Sequence, residues 1–267
     1  MIKINDQIFA NETFANGEVI YKEVTLNSSV NRISFYFETN KDLADLMMAV
    51  SYIRSMHADS KIMLFMPYIP YSRMDRKINE QLFSLGMFAD IINSMRFDKV
   101  VVLDPHSSTS ESRIRNLHIV DIEHIIMDIA KKNHVDAIMF PDKGARTKYV
   151  DRYKNLCAEY PVLFGEKKRD LENKGHILGY KILGDEFDLQ DKNVLIVDDL
   201  CVYGNTFKFC SIELKKNGAN KVYLWITHCE NAIFDGPLFN EGHINHAFTT
   251  NSMIRYKEHD CLTTIEI

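Results

Sequence analysis

The stretch Lys192-Asn193-Val194-Leu195-Ile196-Val197-Asp198-Asp199-Leu200-Cys201-Val202-Tyr203-Gly204-Asn205-Thr206-Phe207 decides the fold. Its four apolar residues, 194–197, are bounded by charge and too short for a helix. That is how a strand buried on both faces of a parallel sheet reads. The strand ends in two adjacent carboxylates, Asp198 and Asp199, followed by a short loop holding Gly204 and Thr206. Phe207, Cys210 and Leu214 then recur at helical spacing up to Lys215-Lys216-Asn217-Gly218, a cationic last turn with a glycine stop. A strand–loop–helix unit puts its loop at the carboxyl end of the sheet, where open α/β folds bind ligands. Backbone amides entering the helix suit a phosphate, and two carboxylates can accept hydrogen bonds from vicinal hydroxyls or hold a metal. The alternative is an ordinary βα turn in which Asp198 and Asp199 merely cap the helix.

Working outward, 267 residues suffice for two domains of about 130 residues, each able to bury a core. Hydrophobic content of 46% and charged content of 26% fit a globular protein. The formal net charge of −5 argues against a general nucleic-acid binder. No apolar run approaches the length of a membrane span, and the first residues lack the apolar core of a signal peptide, so no membrane partner is expected. Five scattered cysteines without a Cys-x-x-Cys pair read as reduced thiols in a cytoplasmic protein.

Taken in order, Phe14-Ala15-Asn16-Gly17-Glu18 is a turn before a strand at 19–21, and residues 33–37 form a second strand. Residues 42–56 read as an amphipathic helix with Leu43, Leu46, Met47, Val50 and Ile53 on its apolar stripe, the methionines serving as core filler. A buried strand at 61–67 runs into Tyr68-Ile69-Pro70-Tyr71-Ser72-Arg73-Met74-Asp75-Arg76-Lys77, whose aromatic and cationic side chains suit a nucleobase and its phosphates. A helix at 83–92 and a strand at 99–103 follow, the latter ending in Asp104-Pro105-His106. After 117–121 the βα rhythm restarts with a helix at 122–132 and a strand at 137–141. Asp142-Lys143-Gly144-Ala145 forms a tight loop before a helix from 146 to about 153, and residues 161–165 form a strand. Residues 166–175 read as a polar loop of about ten residues, long enough to suggest a lid. A buried strand at 222–228 follows the opening stretch, with Gly236-Pro237 in a later loop. Alternating strands and helices argue for α/β parallel sheets, here two in tandem.

The opening stretch resembles the ribose-phosphate binding motif of the type I phosphoribosyltransferase fold. The loops taken together resemble the ribose-phosphate diphosphokinase (phosphoribosyl pyrophosphate synthetase) family. Residues 14–18 are similar to its Phe-x-Asp-Gly-Glu, residues 70–77 to its Pro-Tyr-Ala-Arg-Gln-Asp-Arg-Lys, and residues 104–106 to its Asp-Leu-His. Residues 140–145 are similar to its Pro-Asp-x-Gly-Gly turn, residues 166–169 to its flexible catalytic loop, and residues 227–237 to its Thr-His…Phe-Ser-Gly-Pro. The resemblance runs from about residue 12 to 257.

The resemblance implies a tandem pair of phosphoribosyltransferase-like domains, each a mostly parallel sheet flanked by helices. Their expected bounds are 1–121 and 122–254, with the tail 255–267 packing back on the first. It also implies transfer of the β,γ-diphosphate of Mg-ATP to the anomeric hydroxyl of a 5-phosphorylated ribose, with AMP released. Under that reading Phe14, Asn16, Glu18, Arg73, Met74 and Asp75 serve ATP, and His106 and Asp142 hold magnesium. Lys167 and Arg169 supply catalytic charge on a closing loop. Asp198, Asp199, Cys201, Val202, Tyr203, Gly204, Asn205 and Thr206 hold the ribose phosphate. ATP and a ribose phosphate are the expected partners, and the assembly a homo-oligomer.

The sequence departs from the family in the phosphate loop. The usual Asp-Thr-Gly-Gly-Thr is Val202-Tyr203-Gly204-Asn205-Thr206 here, so a carboxylate, a hydroxyl and one glycine are lost and a large aromatic arrives. Most of the family's first βα unit and its last helix have no counterpart, so the family's hexamer is not carried over. Three alternatives stand beside ribose 5-phosphate as acceptor: the same chemistry on ADP-ribose, serving NAD salvage; a plain phosphoribosyltransferase; and a non-catalytic regulatory homologue.

Overall fold

The computed structural model describes residues 1–9, 11–77, 79–169, 177–254 and 259–267, without the side chains of residues 167–169, 177, 178 and 240. The chain forms two compact units, Met1–Val120 and Asp121–Ile267.

In the first unit the elements are β1 (Ile2–Ile4), β2 (Gln7–Ile8), β3 (Asn11–Thr13), β4 (Val19–Tyr21), β5 (Val30–Phe35) and α1 (Asn40–Met56). Then come β6 (Lys61–Phe65), α2 (Ser84–Ser94), β7 (Lys99–Leu103), α3 (Ser108–Arg113) and β8 (Leu117–Val120). Among the described residues a sheet of six strands runs β2-β1-β5-β6-β7-β8, with β5 to β8 parallel and β1 antiparallel to both neighbours. Strands β3 and β4 form a separate antiparallel ladder. Ile33, Phe35, Ile62, Leu64, Val100 and Val102 pack in one core with Leu46, Ala49, Val50 and Ile53 of α1 and Leu85, Phe88, Ala89 and Ile92 of α2. Each of the Val, Leu, Ile and Phe side chains contributes about 1.5–3 kcal/mol when fully buried. Helix α1 starts at a capping box: Asp42 Oδ2 accepts from the Thr39 and Glu38 amides, each at 2.8 Å. The apolar stripe of α1 is shifted from the expected one. Met47 and Met48 are 53% and 54% exposed, and Ala49 takes the core position. The methionines at 47 and 48 are therefore not core filler.

The second unit contains α4 (Glu123–Lys132), β9 (Ala137–Phe140), α5 (Lys143–Arg152), α6 (Lys154–Glu159), β10 (Val162–Arg169) and β11 (Ile177–Gly184). Next are β12 (Val194–Cys201), α7 (Asn205–Lys216), β13 (Val222–Cys229), a 3-10 turn Asn231–Asp235, α8 (Pro237–Asn240), β14 (His246–Thr250) and β15 (Leu262–Ile265). Among the described residues a sheet of seven strands runs β11-β10-β9-β12-β13-β14-β15, parallel apart from the β10–β11 pair. All eight residues of β13 are buried, including Trp225, as befits a central strand covered on both faces.

Three expectations change here. Strand β12 does not stop at Val197: pairing with β13 continues through Leu200 opposite His228 and Cys201 opposite Cys229, so both carboxylates lie in the strand. Residues 166–169 are strand, because β10 continues through Arg169 against β11, with Glu166 opposite Lys181; residues 170–175 of the expected loop lie outside the described residues. The helix expected from 146 ends near 153 as expected but begins earlier, at Lys143, so residues 143–145 of the expected tight loop form its first turn; α6 follows after Tyr153. Within the tail, β15 pairs in parallel with β14, Ala247 opposite Leu262 and Thr250 opposite Ile265. Among the described residues, no helix is long and apolar enough to cross a membrane.

Candidate active site

In the first unit, two of the singled-out loops leave the carboxyl ends of the adjacent parallel strands β6 and β7. The loop after β6 is tied to β7 by the Leu103 amide, which donates to Pro67 O at 2.9 Å. Tyr71 lies in the left-handed region at φ 62°, and its hydroxyl bonds the Asn40 side chain. Its ring packs on Phe37 and Phe88, with centroids 5.8 and 5.6 Å away. A bulky residue at that φ costs about 1–3 kcal/mol, and such strain gathers at functional loops. The packing holds Tyr71 while Arg73 and Met74 remain exposed beside half-buried Asp75. After β7, Asp104 is also left-handed (φ 30°), and the chain then presents exposed His106. Phe14, Asn16 and Glu18 lie instead at the β3–β4 turn. There Asn16 Nδ2 donates to Glu18 Oε2 at 2.9 Å and Phe14 is 53% exposed.

In the second unit the sheet order β10-β9-β12 puts the remaining positions at the carboxyl ends of three neighbouring strands. Asp142 follows β9 and caps α5, its Oδ1 accepting the Ala145 amide at 3.0 Å. Lys167 and Arg169 belong to β10. Asp198 and Asp199 end β12, where Asp198 Oδ1 accepts the Asp199 amide at 3.0 Å. They do not cap α7, whose N-cap is Gly204. Burial, then the neighbouring Asp199 carboxylate, pushes the Asp198 carboxyl well above the usual range, while Lys148 pulls it back. Lys148 Nζ lies 3.7 Å from Asp199 Oδ2, with both side chains largely buried. Two carboxylates against one lysine make a site that suits vicinal hydroxyls or a hard cation.

The loop leading into α7 is held from behind. Gly204 has φ +80°, and any Cβ there would press on Leu238. A Cβ on Gly236 would collide with the Tyr203 carbonyl oxygen. Cys201 is buried, its thiol raised well above the usual value by the Cys229 thiol and by burial. Val202 and Thr206 are half-buried, Asn205 is exposed, and Tyr203 is 52% exposed. The first turn of α7 therefore offers backbone amides to an anion, with an aromatic ring at its lip.

The sequence reading missed Lys148 and Tyr180. Lys148 sits in an ordinary-looking helical run, and Tyr180 in a strand that an adjacent polar stretch disguised. No local pattern marks either residue.

No family model matches the chain. Among curated proteins it is similar to the ribose-phosphate pyrophosphokinase of Mycoplasma pneumoniae, 26% identical over 284 residues, covering 97% of this chain and 80% of that protein. It is 27% identical to that of Mycoplasmopsis pulmonis, covering 91% and 76%, and 27% identical to that of Sulfurisphaera tokodaii, covering 82% and 75%. The chain is a relative of the ribose-phosphate pyrophosphokinases. The crystal structure of phosphoribosylpyrophosphate synthetase from Mycobacterium smegmatis has the same fold. It matches with a TM-score of 0.77 over 96% of this chain and 85% of that one, at 18% identity. The expected α/β architecture with two mostly parallel, helix-flanked sheets is thus borne out.

Proposed function

We propose that this protein is an enzyme, a Mg-ATP-dependent ribose-phosphate diphosphokinase that transfers the β,γ-diphosphate of ATP to the anomeric hydroxyl of a 5-phosphorylated ribose and releases AMP. Its ribose-phosphate pyrophosphokinase relatives span most of the chain. The observation that carries the reading is the Asp198–Asp199 pair at the end of β12, Asp198 half-buried and Asp199 buried, followed by the α7 amides. A ribose phosphate needs that combination: acceptors for its 2- and 3-hydroxyls and amide donors for its phosphate.

Under this reading, Asp198 and Asp199 orient the sugar so that the anomeric oxygen faces the β-phosphorus in line. Residues 201–206 hold the phosphate. Phe14, Asn16 and Glu18 contribute to the adenine site, and Arg73 offers a planar fork to the ATP phosphates, flanked by Met74 and Asp75. Lys167 and Arg169 neutralise charge that grows on the transferring group. Among the described residues no group of three or more His, Cys, Asp and Glu is arranged to hold a metal. Magnesium commonly needs only one or two protein ligands besides phosphate and water, and the half-buried Asp142 carboxylate is a hard oxygen ligand of the kind it takes. His106 and Asp142 are each proposed as a magnesium ligand, the metal serving to screen the polyphosphate. A homo-oligomer belongs to the same proposal.

A second reading of the acceptor rests on Tyr203. An exposed ring at the lip of the phosphate loop suits a diphosphate diester carrying a nucleoside, such as ADP-ribose, on which the ring can stack. The deciding experiment incubates the protein with ATP, magnesium and either sugar, with products resolved by mass. AMP and a pyrophosphorylated sugar are expected in equal amounts. Sugar-dependent ADP would point to an ordinary kinase instead.

A further inference from the structure

Strand β11 carries a side chain that joins three parts of the candidate site. The Tyr180 hydroxyl lies 2.7 Å from Pro141 O and 2.8 Å from Cys210 Sγ. A carbonyl only accepts and a phenol has one proton, so Tyr180 donates to Pro141 and accepts from the Cys210 thiol. Pro141 directly precedes Asp142, and Cys210 lies on the buried face of α7, behind the phosphate loop. The backbone of Tyr180 is itself paired with Lys167 across the β10–β11 ladder. Space for the hydroxyl exists only because residue 165 is glycine. A Cβ there would overlap the Tyr180 hydroxyl and come within 2.7 Å of Pro141 O. Burial, then Cys210, raises the Tyr180 phenol far above its usual value, so it stays a protonated donor at any working pH.

We propose that Tyr180 is a positioning residue: its hydroxyl pins the base of the β10–β11 hairpin, which carries Lys167 and Arg169, to the Asp142 loop and to α7. The hairpin is otherwise joined to the sheet by a short parallel register between β10 and β9, from Val162 to Phe164. Beyond Phe164, β10 pairs only with β11 among the described contacts, and its register slips between Lys168 and Arg169. A two-stranded ribbon is marginally stable alone, so its direction is set by whatever anchors its base. Tyr180 supplies that anchor at the residue opposite Lys167. This role rests on the proposed reaction, but the anchoring itself does not.

Tyr180→Phe removes the hydroxyl and keeps the ring. In the wild-type background kcat is expected to fall about tenfold, with KM for ATP and for the sugar within about twofold, because charge placement serves the transition state more than binding. In a Lys167→Ala/Arg169→Ala background the same substitution is expected to lower the residual rate less than twofold, since both groups it positions are gone. An equal tenfold loss in both backgrounds would overturn the proposal, because a merely structural role is additive. Hydrogen exchange gives a readout without activity. Amides of residues 165–168 are expected to exchange about tenfold faster in Tyr180→Phe, with those of α4 unchanged, and unchanged protection at 165–168 would overturn the pin. If wild-type protein releases no AMP, the functional reading fails while this exchange measurement still decides the anchoring.

Discussion

Lys148→Met tests how the acid pair is held. Lys148 Nζ stands 3.7 Å from Asp199 Oδ2, and the two side chains are 16% and 8% exposed. Unit charges at that separation attract by about 4–5 kcal/mol at an effective dielectric near 20. Removing one partner of a buried pair costs about 3–5 kcal/mol, because the other charge is left uncompensated. Uptake of a proton by the acid pair relieves part of this, so a loss of about 3 kcal/mol is expected at pH 8. Applied to the unfolding of the second unit, that is roughly 6–12 °C in Tm.

The pH dependence follows from the direction of the Asp198 shift. Its folded-state carboxyl holds a proton more tightly than an unfolded carboxylate does, owing to burial and then to Asp199. Such a group lowers stability as pH rises from the unfolded value, about 3.9, through its folded value. Lys148 pulls in the opposite direction, so its removal extends that window upward. The gap in Tm between wild type and variant should therefore open as pH rises and close on acidification. Adding Asp199→Asn should restore most of the loss by removing the stranded charge. Thermal melts by circular dichroism at pH 5 and pH 8 are the assay. A gap that is the same at both pH values, or one that Asp199→Asn fails to narrow, would refute the reasoning.

Lys167→Ala is expected to lower kcat by about a hundredfold or more while nucleotide affinity stays nearly intact, because its charge acts on the transferring group; full activity in steady-state kinetics would remove Lys167 from the catalytic machinery. Tyr203→Thr returns a hydroxyl donor and deletes the exposed ring, so the ratio of kcat/KM for ADP-ribose to that for ribose 5-phosphate should fall about tenfold if the ring stacks on a nucleoside. A wild-type preference for ribose 5-phosphate that the substitution leaves unmoved would exclude the extended acceptor.

Much of the fold is legible from local pattern. Strand β7 has the expected bounds, and the apolar residues of α7 face the core as their spacing predicts, since Phe207, Cys210 and Leu214 are all buried. Gly218 adopts φ +94° just beyond α7, as a helix stop should. Strand ends are less legible. Continuation of β12 through two carboxylates depends on β13 offering partners up to Cys229, and no window around Asp198 contains that information. The antiparallel strand β11 was hidden for the same reason: the polar end of β10, residues 166–169, is paired only with β11 among the described contacts.

The sequence by itself determined the βα alternation, the order of the candidate loops and the chemical types at their tips. Those depend on residue identity and spacing over a few positions, which is the range over which hydrophobic periodicity and turn chemistry act. Tertiary structure decided which of these groups meet and what their charge states are. Lys148 reaches Asp199 across 51 positions of sequence, and Tyr180 reaches Pro141 across 39. The Asp198 carboxyl is raised only because the sheet withdraws it from water beside a second carboxylate. Solvation and Coulomb interaction depend on distance in space, and that distance is set only when strands far apart in the chain lie side by side.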